Sequence, residues 1–299
     1  MLKLAYTPPP CNICGGEAAI TLFRKNGYDL VRCSNCGLVF VANPPTQSEL
    51  EELYSFASGY HAVLADENSP ECRIMMDRAR GYYRTLARRG RTGRLLDVGC
   101  SAGFFLKVAA DNGWECCGVE MSNDTAEIAR SRYGLAVTTG TIEQAAYPPG
   151  SFDVITLFDI VEHVRDVTAF MDKVRELLKD DGIILISTPN IDGLFPSLSY
   201  KMANKLGYWP HPEPPLHLYQ FSKRSIQALL ARTGFSPIEI VDRGIPVTNS
   251  LGGFKQIIRS PKRLLYTALF APTILLGPLI RRGDIMTVVA SKDKPRTES

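Results

Sequence analysis

The stretch Arg94–Gly103, RLLDVGCSAG, constrains the fold of this chain more than any other. Leu95, Leu96 and Val98 form a short apolar run suited to a strand buried on both faces, with Asp97 near its carboxyl end. Gly99 and Gly103 bracket a tight turn, and Phe104–Asp111 has the composition of a helix packing back on a sheet. Strand, glycine loop and helix in that order bring backbone N–H groups to a ligand at the edge of a parallel sheet. The spacing narrows the ligand. A dinucleotide fingerprint needs G-x-G-x-x-G, but Ser101 stands at the second glycine and Phe104 at the third, so a pyrophosphate has poor access. A serine at position 101 is tolerable if it keeps φ below zero.

The pattern continues downstream. Trp114–Glu120 reads as a second buried strand ending on an acid, 23 residues past Asp97. That is close to the interval at which nucleotide-type folds set a carboxylate against ribose hydroxyls. Cys116 and Cys117 read as core residues of this strand. A helix over Asn123–Arg132 and a short strand over Leu135–Thr138 follow, then the loop Gly140–Glu143. Pro148-Pro149-Gly150 turns the chain into a fourth strand, Phe152–Phe158, which ends in Asp159-Ile160-Val161-Glu162-His163-Val164. Val167–Lys179 has helical periodicity, Gly182–Thr188 is a fifth strand, and Pro237–Val241 and Asp284–Ser291 are the sixth and seventh. The first five are apolar throughout rather than alternating and are interleaved with helices, so the expected class is α/β, a parallel sheet covered on both faces.

The run Asp97–Gly103, which matches D-x-G-C-G-x-G except for Ser101 where glycine is usual, the acid after strand two and the aspartate after strand four together resemble the class I S-adenosylmethionine (SAM)-dependent methyltransferases, over about Arg94–Lys292. The run D-x-x-E-H-V is similar to a small-molecule subgroup. The resemblance implies a seven-stranded, mostly parallel, doubly wound sheet whose seventh strand runs antiparallel between the fifth and sixth. It also implies SAM contacts from Asp97, Gly99, Cys100, Ser101 and Gly103, with Glu120 on the ribose. Met121, Thr141 and Ile142 would surround the adenine, and Phe158 and Asp159 would lie by the methionine moiety. His163 would face the acceptor. His217–Ser222 resembles the family's H-x-x-x-F-S segment, which makes His217 the first candidate general base and Tyr219 a substrate contact. The alternative for both histidines is structural, pinning a helix start or the surrounding loop by hydrogen bonds.

Ahead of this domain, Cys11-x-x-Cys14 and Cys33-x-x-Cys36 are two knuckles whose thiolates suit tetrahedral zinc, and residues 1–45 are expected to form a zinc ribbon resembling that of bacterial members of the family. Protein fills all four positions, so the zinc is structural. Ala18–Arg32 reads as a hairpin turning at Asn26-Gly27. No signal peptide is legible in Met1–Pro10, and the cysteines fit metal or core roles in a reducing cytoplasm. Residues 46–93 are expected to be a helical linker. Thr46 and Ser48, with Glu49 and Glu51 three residues on, start a helix bearing Leu50, Leu53 and Tyr54; a loop holding an ordinary surface His61 follows, then a helix over Glu71–Arg89. Arg73, Arg78, Arg80, Arg84, Arg88, Arg89, Arg91 and Arg94 are either a solvated face or a surface for anionic lipid or a phosphorylated substrate.

Residues 191–221, rich in proline and aromatics, are expected to cap the acceptor site. Within an insertion at 247–283, Leu264–Ile280 carries no charge and is flanked by Lys262, Arg263, Arg281 and Arg282. Its 17 residues would span about 25 Å as a helix, short of a bilayer core of about 30 Å, and Pro272 and Pro278 interrupt it. The seventh strand must also rejoin the sheet, so a membrane span is not expected. Two readings stand: peripheral contact through 262–282 at the inner membrane face, or helices packed internally or in a dimer. Residues 293–299 are a polar tail. A net charge of +3 provides no strong field for nucleic acid. The expected activity is SAM-dependent O- (or C-) methylation of a small-molecule, glycan or lipid-linked acceptor. A zinc-ribbon RNA methyltransferase and a non-catalytic SAM-fold interaction protein are the alternatives. The acid pairs of metal-dependent catechol-type enzymes are not evident, so no catalytic metal is expected.

Overall fold

The computed structural model describes residues 4, 6–46, 48–50, 63–64, 66–206, 209, 211–244 and 261–293. Its strands are β1 (Ala19–Lys25), β2 (Tyr28–Cys33), β3 (Val39–Val41), β4 (Arg94–Val98), β5 (Glu115–Glu120), β6 (Ala136–Thr139), β7 (Phe152–Phe158), β8 (Leu178–Pro189), β9 (Tyr219–Gln220), β10 (Phe235–Arg243) and β11 (Ile285–Lys292). The helices are α1 (Pro70–Ala87), α2 (Phe104–Ala110), α3 (Asn123–Tyr133), α4 (Val167–Leu177), α5 (Leu194–Leu206), α6 (Lys223–Arg232) and α7 (Pro261–Leu276).

Seven strands form one sheet in the order β10-β11-β8-β7-β4-β5-β6. Strands β4 to β8 are parallel to one another, and β11 runs antiparallel between β8 and β10, as the family resemblance implied. The continuous apolar runs follow from burial on both faces. Leu96, Ile155, Ile184 and Val288 enter a core shared with α4 and α6, while their neighbours Leu95, Val154, Ile183 and Val289 enter one shared with α1, α2 and α3. Complete burial contributes roughly 1.5–3 kcal/mol per such side chain. Hydroxyl or carboxylate caps start three of the helices that flank the sheet: Ser69 accepts from the Cys72 amide ahead of α1, Ser122 from Thr125 ahead of α3, and Asp166 from Ala169 ahead of α4.

The zinc-ribbon segment is less separate than the sequence suggested. The β1–β2 hairpin turns at Asn26-Gly27 as expected, but its sheet continues β1-β2-β3-β9, with Val39 opposite Gln220 and Phe40 opposite Tyr219. The region expected to cap the acceptor site therefore supplies a strand to the ribbon, and a two-residue strand leaves no periodicity to read. Trp209 packs edge-on against Phe23 at 6.1 Å, and the Lys25 ammonium donates to the Trp209 and Pro212 carbonyls. On the other side, Asn12 bonds Asp166 and Thr168 at the start of α4. Residues 1–45 and the methyltransferase-like domain share one core through Ile13, Leu38, Phe40, Leu218, Phe221 and Ile226.

Thr46 and Glu49 form the expected reciprocal cap, the Thr46 amide donating to Glu49 Oε2 at 2.7 Å and the Glu49 amide to Thr46 Oγ1 at 3.3 Å. The readings of Leu53, Tyr54 and His61, and of 247–260, lie outside the described residues. Among the described residues, the apolar insertion contains one helix, α7, followed by a 3-10 turn at Pro278–Ile280. Among the described residues no helix is long and apolar enough to cross a membrane.

Candidate functional site

The chain passes from β4 to β5 and β6 on one side, then returns to β7 on the other. The loops leaving β4 and β7 therefore diverge, and the crevice between them at the carboxyl edge is where open α/β sheets bind ligands. The amides of Gly99 and Cys100 both donate to the Val119 carbonyl, at 2.7 and 3.1 Å. Glu120 fixes the rest of the turn: Oε2 accepts from the Ser101 amide and Oε1 from the Ser122 amide, each at 2.8 Å. Ser101 corrects the sequence expectation, for its φ is +49°. Charge-assisted capture of its amide by Glu120 offsets a left-handed conformation that costs roughly 1–2 kcal/mol.

Other predicted cofactor residues divide by what they expose. Asp97 is buried beside Thr156, whose hydroxyl donates to Oδ1 at 2.6 Å; burial pushes its carboxyl up to about 7, against the pull of that bond. The Cys100 side chain is buried and packs against Gly118, so this residue offers the loop its backbone. Ile142 is likewise buried in the core, while Met121 is exposed beside Glu120. The Thr141 amide donates to Gln144 Oε1 at 2.9 Å. Phe158 stacks on Tyr82 at 4.1 Å and meets Phe105 edge-on at 4.8 Å, forming an apolar wall.

Asp159, at φ +57°, accepts from Arg78 at 2.6 Å and from the Ser187 hydroxyl at 3.4 Å. The Tyr82 hydroxyl lies 2.8 Å from Ser187. Arg78 was read only as part of the basic stretch. Its signal was nevertheless present: Arg78, Tyr82 and Leu86 recur at four-residue steps on the helix face that carries buried Tyr82 and Leu86. Other arginines of that stretch are also engaged internally, Arg89 with Glu239, Arg94 with Glu115, and Arg91 with the Asp153 carbonyl. These contacts weaken the reading of the stretch as a surface for anions.

One turn beyond Asp159 lies a second cluster. Glu162 is buried; its Oε2 accepts from Thr188 at 3.0 Å, its Oε1 has no partner among the described residues, and burial pushes its carboxyl well up. The Glu162 carbonyl accepts from the Leu218 and Tyr219 amides, which brings His217 over His163. The two imidazoles meet edge to face at 4.7 Å, and His163 Nδ1 lies 3.0 Å from the Leu216 carbonyl oxygen. Burial, and for His163 also the neighbouring His217, lowers both to about 4. A lone general base works best near the operating pH, so at neutral pH these rings are better acceptors or ligands than bases. Glu162, His163 and His217 present one ligand atom each, all within 4.8 Å of one another, close enough to hold a metal ion. Such a three-ligand set leaves positions open. The missing acid pairs in the sequence therefore do not decide against a catalytic metal. Tyr219 takes no place here. It lies buried on β9, its hydroxyl donating to the Arg165 carbonyl at 2.5 Å, and ties the ribbon sheet to the loop before α4 rather than making the expected substrate contact.

At the ribbon, the four predicted cysteines converge. Their sulfurs lie within 4.8 Å of one another, with Cys11–Cys36 and Cys14–Cys33 both at 3.5 Å. Tetrahedral zinc with bonds of about 2.3 Å needs sulfurs about 3.8 Å apart, so the residues fit the ion. Burial raises the Cys11 thiol to about 11. It also works to raise Cys33, but amides of Cys36 and Asn35 and the neighbouring thiols bring that one down to about 7.

Residues 73–240, more than half the chain, match the family model described as "Methyltransferase domain". A probable SAM-dependent methyltransferase of Mycolicibacterium smegmatis is 26% identical over 173 residues, covering 58% of this chain and 61% of that protein. The ubiquinone biosynthesis O-methyltransferase of Cereibacter sphaeroides is 30% identical over 155 residues, covering 49% of this chain and 61% of that one. The chain thus spans about three-fifths of the length of these curated relatives. Among solved structures, a Burkholderia thailandensis 1,6-didemethyltoxoflavin-N1-methyltransferase with bound S-adenosylhomocysteine covers 91% of this chain and 98% of its own, at TM-score 0.53 and 14% identity. A SAM-dependent methyltransferase from Archaeoglobus fulgidus covers 74% and 94%, at TM-score 0.50 and 20% identity. Sheet order, glycine turn and domain match agree, and the chain belongs to the class I SAM-dependent methyltransferases.

Proposed function

We propose that this protein transfers a methyl group from SAM to an oxygen, or a carbon, of a small-molecule acceptor, with glycans and lipid-linked molecules in that class. The observation that carries the reading is the contact between two half-sites: Ile160, between Asp159 and the Glu162–His163–His217 cluster, packs against Gly99 of the glycine turn that Glu120 ties. The O-methyltransferase named among the relatives supports oxygen as the first atom to test.

SAM supplies a methyl already activated by its sulfonium, so the protein's work is placement, exclusion of water and handling of the acceptor's proton. Amides of the 99–103 turn and the Glu120 carboxylate would hold the nucleoside half. Asp159 and Arg78 offer one anion and one cation at the end of β7, matched to the ammonium and carboxylate of an amino-acid tail. The Phe158–Tyr82–Phe105 wall keeps water from the strand end. At the acceptor side, His217 Nδ1 is buried without a partner among the described residues, which leaves this nitrogen to accept a hydrogen bond, take up a proton or ligate a metal.

The test supplies SAM with a labelled methyl group to cell extracts separated into lipid, glycan, small-molecule and RNA fractions. Label in the small-molecule, glycan or lipid fraction is expected. Label confined to RNA, with binding that falls steeply with salt, would select the RNA methyltransferase. Calorimetry that detects no SAM binding would select the interaction protein.

A further inference from the structure

The helix α7 and the 3-10 turn after it bear two unlike faces. Phe270 and Ile274 are buried against α5, with Phe195 and Phe270 rings 5.5 Å apart and Leu198 and Met202 alongside. On the opposite side Leu264, Leu265, Leu269, Leu275 and Leu276 are exposed, and the stripe continues onto Leu279 and Ile280. Leu265 is 72% and Leu279 79% exposed, where a helix wetted on this side would carry polar residues. α7 alone is about 24 Å long, too short and too interrupted by Pro272 to span a bilayer but long enough to lie along one.

Charge decides the occupant. From 244 to 283 the chain has six Lys and Arg residues and no Asp or Glu, whereas in the remainder the acids outnumber the bases. In the chain, Lys262 and Arg263 precede the apolar stripe and Arg281 and Arg282 follow it; Arg282 also donates to the Asp192 carbonyl and the Ser197 hydroxyl, and Arg281 is exposed. A second copy packed through this stripe would place cations against cations in either helix orientation, which opposes association. An anionic bilayer meets both features at once, with acyl chains for the leucines and headgroups for the cationic ends. We infer that the α7 face is a docking surface for an anionic lipid membrane, on which the protein lies without spanning it. This inference does not depend on which acceptor is methylated, and it makes the α5–α7 pair the side of the molecule that meets lipid.

The zinc-loaded full-length protein should co-sediment with vesicles of equal parts phosphatidylcholine and phosphatidylglycerol. Binding to pure phosphatidylcholine should be several-fold weaker, and added salt should reduce the difference. The variant Leu265→Glu/Leu269→Glu/Leu279→Glu replaces only exposed side chains and should lose at least about tenfold in partitioning. Its SAM affinity by calorimetry, unchanged from that of the parent, shows that the loss is not unfolding. Absence of binding to either vesicle, or equal binding to both, overturns the inference. So does a dimer that the triple variant dissociates when no vesicle binding is seen; that result gives the face to a second copy.

Discussion

Replacing Gly103 with alanine isolates the close packing beneath the glycine turn. Gly103 has φ +78°, and a Cβ there would stand 2.6 Å from Leu135 Cδ1 and 2.9 Å from Ala129 Cβ. The leucine tip can rotate away, but the alanine methyl is fixed to the α3 backbone and cannot. The left-handed backbone costs an alanine roughly 1–2 kcal/mol, and overpacking adds roughly 1–3 kcal/mol. Reduced freedom of the unfolded chain returns less than about 1 kcal/mol. Gly103→Ala should therefore destabilise by about 2–4 kcal/mol. Gly134 provides the control: its φ is +64°, at the end of the same α3, and its Cβ would meet nothing within 4 Å. Gly134→Ala should cost about 1 kcal/mol, the backbone part alone. Urea unfolding of both variants measures the difference, and calorimetry should show weakened SAM binding for Gly103→Ala only. Equal losses of stability in the two variants, or unchanged SAM affinity in Gly103→Ala, would refute the packing argument.

Arg78→Leu keeps the bulk of the side chain but leaves Asp159 without its cation; SAM affinity should fall about tenfold or more, and unchanged affinity would remove Arg78 from the cofactor site. Cys14→Ser should lower zinc content and loosen β9 through the shared ribbon sheet, so turnover should fall further than SAM affinity; loss of both alike would indicate general unfolding. His217→Asn should lower turnover at saturating SAM by about a hundredfold or more, whether the ring accepts a proton or binds a metal, and a retained rate would dismiss it. The same substitution bears on acid stability. Burial holds His163 and His217 near 4, below the ordinary value of 6.5, so the native state binds fewer protons than the unfolded chain in between. Stability from this source is present above about 6.5 and is lost as pH falls toward 4, at most roughly 3 kcal/mol for each ring. Asp97, raised to about 7, acts in the opposite sense, its contribution being lost as pH rises from about 4 toward 7. His217→Asn should therefore flatten the acid side of the stability profile, measured by thermal unfolding between pH 4 and 7, and an unchanged profile would contradict the burial of these rings.

The sequence by itself marked the strands, the turn and the two cysteine knuckles, because each is written in residues adjacent along the chain, while the strand order came from the family resemblance. Leu95-Leu96-Asp97-Val98 has to be a buried strand, a glycine turn has to follow it, and two C-x-x-C knuckles have to converge. Burial periodicity and turn chemistry act over a few residues, so reading them needs no partner. Only the tertiary structure decided which distant groups meet. The sign of φ at Ser101 depends on a carboxylate 19 residues away, and Arg78 turns to Asp159 across 81 residues. Tyr219 leaves the site because β3 takes β9 as its neighbour, and the same pairing carries His217 onto His163. Such contacts depend on how whole elements stack, and helical period alone does not distinguish the wetted face of α1 from the one that turns Arg78 into the crevice.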